Sequence, residues 1–366
     1  MRWSGLCLTL VLATAPAHAD TVPAGPPLAA PIMAPCEADG CKREGPTKLR
    51  RTGAVFASVT TGLFVRGVGS YLIGEKRTAK RLALVSAFGL GAALGGGLPV
   101  GISGGYPPTL PLMPVLLVGA GALFTTWWAD IGVAAGVSTL GNARTQAPWS
   151  IELATLYLSD PYRQAGLGRL GGRIELGRLD LGASYLLDAE NELRTGEANV
   201  RVRIFGAAAT GEVVSDGSRL ILRAGLRGHE DDGDRVDTTT AELALIGRLD
   251  LHRLDRGLRG AFIEMSSGIG VERVSHFGDH DNSSILLGTF SWGVYLGNRG
   301  EVQLFYDHRR DSMVGGIAAG RAAGFVGSLG ASLDWMFDPK WAAHLEVDVG
   351  NAWLTTVALR YRGGTR

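Results

Sequence analysis

The chain reads as a mainly β protein. It is an antiparallel transmembrane β-barrel of about 12 strands (range roughly 10–14), preceded by a Gly-rich segment of two to three apolar helices. Three observations predict this. From Trp149 onward apolar and polar residues alternate in segments of about ten. Aromatic side chains gather at the ends of those segments. Before them lies a block, residues 52–140, made of apolar stretches of helical length.

The alternation runs through most of the C-terminal part. Leu179, Leu181, Ala183, Tyr185 and Leu187 are interleaved with Asp180, Gly182, Ser184 and Leu186. Val200, Val202 and Ile204 alternate with Arg201 and Arg203, and Leu220, Leu222, Ala224 and Leu226 with Arg219, Arg223 and Arg227. The same period returns in Phe325–Trp335 and Trp341–Val349. Turn signals separate the runs: Asp216-Gly217, Asn298-Arg-Gly300, Asp338-Pro339 and Gly350-Asn351. Strands are expected to start near residues 149, 166, 178, 195, 218, 236, 258, 284, 299, 322, 340 and 352. The stretch Ala207–Val214 fits either a strand or a loop. His229–Asp237 and Gly278–Ser284 read as longer loops on the outer surface.

A soluble sandwich also alternates, so period alone does not choose. Tyr157, Tyr162, Tyr295, Tyr306, Trp335, Phe337, Trp341 and Tyr361 sit near strand ends, as interfacial girdles do. The final strand, Thr355–Tyr361, closes on an aromatic before a short tail, Arg362–Arg366. These features resemble bacterial outer-membrane β-barrel proteins over residues 149–361. The resemblance is architectural and transfers no functional residue. It implies the outer membrane of a Gram-negative envelope as the location and outer-membrane lipids as partners.

The first residues form a secretory signal, 1–19: Arg2, an apolar stretch Leu6–Ala13, and Ala17-His18-Ala19 as the cleavage site. Residues 20–51 are a Pro/Ala-rich linker. It holds Cys36 and Cys41, an even pair in an oxidising compartment and so an expected local disulfide. In 52–140 the apolar stretches are Thr52–Ile73, Thr78–Gly97 and Leu110–Leu140, with prolines 99, 107, 108, 111 and 114 breaking the chain between the last two. Each approaches the ~20 residues of a membrane span. However, Arg66 falls inside the first, and basic residues flank it at both ends (Lys48, Arg50 and Arg51; Lys76, Arg77, Lys80 and Arg81). Spanning, plugging the barrel and lying on a membrane all remain open for these helices. They are also the expected contact for other envelope proteins.

Lys+Arg 36 against Asp+Glu 35 leaves a net charge of +1, which argues against a nucleic-acid partner. No cofactor or metal is implied. Phe305-Tyr-Asp307-His308-Arg-Arg-Asp311-Ser312 offers a His and a Ser, but four strand positions put them ~13 Å apart, too far to act together. A lipid-modifying enzyme using the Asp307–His308 strand end is therefore the alternative to a non-enzymatic barrel. His276, Asp279, His280 and Asp281 have metal-ligand types but no fixed spacing in a predicted loop. The more informative pattern is the expected lumen wall. Arg169, Arg173, Arg201, Arg203, Arg219, Arg223 and Arg227 come from early strands. Asp307, Asp334, Glu346 and Asp348 come from late ones, with Glu242 and Glu264 between. Opposite signs around one interior suit either an ion-paired scaffold or a small-solute channel with a charged, Arg-rich lumen.

Overall fold

Alternation with period two puts one side of every strand on the inside of a closed sheet and the other on the outside, and that is how the chain folds. The computed structural model describes residues 47–103, 107–136, 147–161, 164–188, 193–206, 216–231, 236–254, 258, 260–276, 279–297, 299–308, 314 and 327–364. The expected signal, residues 20–46 of the expected linker, the Cys36–Cys41 pair, Ala207–Val214, Tyr162 and Ser312 lie outside them, while the last linker residues, from Lys48, are helical.

Twelve strands follow one another: β1 Trp149–Ser159, β2 Gln164–Leu176, β3 Leu179–Asp188, β4 Leu193–Phe205, β5 Arg219–Asp231 and β6 Val236–Asp250. Then come β7 Ala261–His276, β8 Asp279–Leu296, β9 Gly300–Asp307, β10 Ser328–Met336, β11 Trp341–Val349 and β12 Trp353–Gly363. Each pairs antiparallel with its sequence neighbours, and β1 pairs β12 from Trp149↔Gly363 to Ser159↔Trp353, closing the barrel. Closure pairs each strand on both sides over the body of the barrel, and the one long exception, Asp279–Gly288 of β8, outruns β9 and pairs with β7 alone among the described residues. The described parts of two expected surface loops are strand: His229–Asp231 continues β5, Val236 and Asp237 begin β6, and Asp279–Ser284 begins β8. Their polar residues keep the ladder because His229↔Thr238 and Ser275↔His280 pair in register, and β-structure needs a partner strand more than apolar side chains.

The barrel is apolar outside. On β1, Ile151, Leu153 and Tyr157 are exposed while Ala154, Leu156 and Leu158 are buried. Likewise Leu170 and Ile174, Val200 and Val202, Leu243 and Leu245, and Val357 and Leu359 all face outward and are exposed. Trp149, Trp341 and Tyr361 cluster at the rim where β1 begins and β12 ends (the chain-end rim of the barrel), with ring centroids 5.6 and 4.9 Å apart. Tyr157 and Trp353 mark the opposite rim. Trp149 and Tyr157 are eight residues apart on one outward face. That is ~27 Å along the strand, or ~20 Å of height at the usual tilt, close to the ~25 Å apolar band of membrane barrels. Tyr295, expected in a girdle, instead points inward and is buried. Its hydroxyl donates to Asp250 at 2.7 Å, and a phenol with a buried carboxylate partner is better satisfied inside than at the lipid boundary.

The helical block comprises α1 (Lys48–Thr60), α2 (Val68–Leu72), α3 (Lys76–Ile102) and α4 (Met113–Ala135). The first expected helix is thus two, broken at 61–67. Gly67 there adopts φ +87°, and a Cβ on it would run into the Ala79 carbonyl oxygen at 2.5 Å. Pro99 does not end α3, which continues to Ile102 after the glycines at 95–97. Asp130 of α4, fully buried, ties three helices together. It accepts from Ser58 Oγ (3.1 Å), Gly69 N (3.0 Å), Ser70 N (2.8 Å) and Ser70 Oγ (2.6 Å). A lone buried carboxylate is costly, and four donors offset that cost.

Where the helices sit relative to the barrel follows from one contact. Gly121 of α4 lies against the indole of Trp292 so closely that a Cβ would overlap the ring. Phe124 and Trp128 pack on the same cluster, with Leu251, Ala261 and Val294. Trp292 and Val294 belong to the outward face of β8, since Tyr295 belongs to the inward one. The helices therefore dock on the outside of the wall, near the rim of the chain ends, and do not fill the barrel.

Candidate functional site

The inner face of the sheet divides into two zones. At the rim away from the chain ends, Leu156 and Leu158 of β1, Leu167 of β2, Leu186 of β3 and Leu193 of β4 form a buried apolar cluster with Ala352. The backbone N–H of Ala352 donates to the carbonyl of Val314, which is itself buried. This cluster was not expected from an alternation read as polar throughout. At β3 its signal was the doubled Leu186-Leu187, one member of which must face in.

Toward the chain-end rim the inner face is polar and surrounds a cavity of about 470 Å³. Of the expected wall residues, Arg169, Arg173, Arg201, Arg219 and Asp334 line it. So do Glu152, Glu175, Arg248, Glu301 and Arg360, which the sequence reading missed. For Arg360 the available signal was a lone charge between apolar neighbours, in Val357-Ala-Leu-Arg-Tyr361.

Ion pairs connect most of this face. Arg169 pairs with Glu152 at 2.8 Å, Arg223 with Glu197 at 2.5 Å and Glu242 at 2.9 Å. Arg173 pairs with Asp180, and Arg203 with Glu175, bridging across β3. Arg219 reaches Glu264 at 3.2 Å, past β6. Arg248 of β6 holds Glu264 at 2.7 Å and Glu301 of β9 at 3.0 Å, a chord that passes two strands. Arg360 joins Glu152 at 2.6 Å to Asp334 at 3.3 Å, and His344 lies between Asp334 (3.3 Å) and Glu346 (3.4 Å). Arg227 stands directly across from Glu197 in register. Asp348 is buried on β11, and Asp307 ends β9 opposite Ser328.

His308 follows Asp307 with its Nδ1 at 3.0 Å from the Tyr306 hydroxyl. His276 and Asp279 face each other in the β7–β8 register rather than in a loop. Elsewhere Asp216, Asp250 and His252 place one ligand atom each within 4.8 Å of one another. Arg253 and Asp216 are already paired (Nε to Oδ2, 2.5 Å), and Asp250 already accepts from Gly217 N and Tyr295.

No family model matches the chain, and no curated protein does. Solved structures similar to it include the KdgM porin in complex with disordered oligogalacturonate (11% identity, 59% of this chain and 99% of that one, TM-score 0.38). The NanC porin is similar at 10% identity (58% and 100%, TM-score 0.38). So is the translocator domain of the autotransporter NalP from Neisseria meningitidis, at 13% identity (63% and 92%, TM-score 0.32). At these scores the strand pairing itself carries the architecture. The fold is a closed antiparallel β-barrel of twelve strands.

Proposed function

We propose that this chain is a non-enzymatic scaffold of the Gram-negative outer membrane. One observation carries the reading: the barrel is inverted relative to a soluble protein, with leucine, valine and aromatic side chains exposed around the outside and ionised ones inside. A surface of that kind is stable in lipid and would aggregate in water. The scaffold role, as against the channel, is favoured by what occupies the interior. Arginine–carboxylate chords cross between non-adjacent strands, and the leucine cluster occupies part of the opposite end. On this reading the charged wall serves the barrel's own rigidity. The externally docked helices, with Phe56, Phe64 and Phe88 exposed, supply the surface for lipids or envelope partners. Reconstitution of the purified protein in planar lipid bilayers tests it. No stepwise conductance is expected; reproducible steps would replace the scaffold with the small-solute channel.

A further inference from the structure

The helical block keeps its charge at one end. Residues 82–129 contain no Asp, Glu, Lys or Arg. Of that stretch, 82–102 belong to α3 and 113–129 to α4, and the two helices run antiparallel, with Gly89 against Ala122 and Gly96 against Leu116. At the helical rise per residue the uncharged legs are ~31 and ~25 Å long, against the ~25 Å apolar band of a membrane barrel. Immediately before them, Lys76, Arg77, Lys80 and Arg81 are exposed on the first turns of α3, with no acidic residue in that first turn. A helix N-terminus is the positive end of its dipole, so cations there gain nothing from the helix itself. They suit an anionic surface outside it.

The hairpin is also inverted in the way the barrel is. Its seam is made of small residues. A Cβ on Gly89 would stand 2.9 Å from Ala122 Cβ and 3.0 Å from the Gly119 carbonyl oxygen, and one on Gly119 would strike the Ala93 backbone. Helices whose backbones approach so closely bury little apolar area and are held by dispersion, the mode of association in lipid. The large side chains point away instead: Leu84, Phe88, Leu90, Leu94, Leu98 and Ile102 of α3 are exposed, Phe88 at 67%. A protein interface has a polar rim, whereas neither leg carries a charge along its uncharged length. The same height on the barrel is lipid-facing. Gly121, in the middle of the uncharged part of α4, rests on Trp292, which pairs with Ile263. Farther from the chain-end rim on that outer wall, Met265, Ile269, Val271 and Leu286 are exposed.

We infer that α3 and α4 form a helical hairpin that crosses the apolar layer of the membrane beside the barrel. Lipid acyl chains cover the outer face of α3, and Lys76, Arg77, Lys80 and Arg81 meet the phosphates of anionic headgroups. Trp292 holds the hairpin to the wall through Gly121. The inference rests on the outer-membrane reading of the barrel, which supplies the bilayer, and adds that the chain crosses it with helices as well as strands.

The test is depth-resolved fluorescence quenching of the full chain, folded into phosphatidylcholine–phosphatidylglycerol vesicles, with Cys7, Cys36 and Cys41 replaced by serine. A bimane label is placed on Leu94→Cys, on Leu90→Cys as a second position of the same face, on Arg77→Cys at the basic end, and on Leu153→Cys of the outer barrel wall. Heat-modifiable migration on a gel confirms that each variant is a barrel. The quencher is a doxyl group carried either mid-chain or near the headgroup, or iodide in the water. Labels at positions 90, 94 and 153 are expected to lose most emission to the mid-chain quencher, and the label at 77 to the headgroup quencher. Stronger quenching of positions 90 and 94 by the headgroup lipid places the hairpin flat on the surface and overturns the crossing. Quenching there by iodide places it in water, and protection from all three quenchers places a second copy over it; either overturns the inference. If position 153 is quenched mid-chain and positions 90 and 94 are not, the hairpin alone fails. If position 153 also escapes the lipid quenchers, the outer-membrane reading fails with it.

Discussion

Replacing Gly121 with alanine adds a single methyl group where α4 rests on the barrel, and the structure leaves no space for it. The new Cβ would overlap the indole of Trp292, whereas carbon atoms pack at ~3.5–4 Å, so helix and wall must separate by more than an ångström. Trp292 is 8% exposed and supports Phe124, Trp128 and Val294, so the whole docking cluster is loosened. Overpacking of this kind costs about 1–3 kcal/mol. That is roughly 5- to 150-fold in the ratio of docked to undocked helices. Helix propensity acts in the opposite direction, since alanine in place of glycine favours an isolated helix by about 1 kcal/mol. A measured loss therefore reports docking. The assay is denaturant titration in micelles, following tryptophan emission in a background with Trp149, Trp335, Trp341 and Trp353 replaced by phenylalanine, so that the tryptophans of the docking site report, and gel migration for the barrel. The tryptophan transition is expected at lower denaturant with barrel migration unchanged, and Trp292→Ala in the same chain should restore much of the loss. An unshifted transition in Gly121→Ala, or no recovery in the double variant, would refute docking on the outer wall.

Glu301→Gln strips the buried Arg248 of one carboxylate and should lower the temperature at which gel migration changes, at a cost of about 3 kcal/mol. Asp130→Asn leaves a single acceptor oxygen for four donors. Tryptic cleavage at Arg66, between α1 and α2, should quicken while the barrel remains resistant. Leu158→Ala with Leu167→Ala hollows the inner leucine cluster at about 2–5 kcal/mol each, and should produce conductance where the parent has none. In the loop at residue 216, burial pushes the Asp216 carboxyl up, but hydrogen bonds from Ser218 and the Arg253 guanidinium outweigh it and hold the group below its ordinary range. Its contribution is present above about pH 4 and fades as the pH falls through the lowered value. Asp216→Asn should therefore flatten the acid limb of a stability–pH curve, measured as migration midpoint against pH.

The strand count and nearly every strand start were legible because period two needs no knowledge of partners: in β5, Leu220, Leu222, Ala224 and Leu226 alternate with Arg219, Arg223 and Arg227 and so show which side each takes. Loops were less legible. Asp279–Ser284 is polar and so resembles a loop, yet becomes strand because β7 lies alongside to pair with it. The helix break at Gly67 was hidden within an apolar stretch, since a left-handed glycine leaves no mark on hydropathy. Wall residues such as Arg173 and Arg219 could be named from alternation, but not their partners. That Arg248 reaches Glu301, past β7 and β8, depends on barrel curvature, which no local pattern encodes. The outer docking of α4 rests on a glycine meeting a tryptophan 171 positions later, and only the folded chain makes them neighbours.

The bond between Arg360 and Glu152 has a consequence for assembly. The two residues are 208 positions apart and sit on the last and first strands. Until the ring shuts, β1 and β12 are both raw edges, able to zip onto any passing strand. Glu152 already has Arg169 from β2, and Arg360 already has Asp334 from β10, so each half of the seam is charged and oriented before they meet. The pair thus works as a keyed fastener. A foreign strand could supply backbone hydrogen bonds to either edge, but not the opposite charge at the matching height. Closure on itself is then the ending this chain favours over polymerisation with its neighbours.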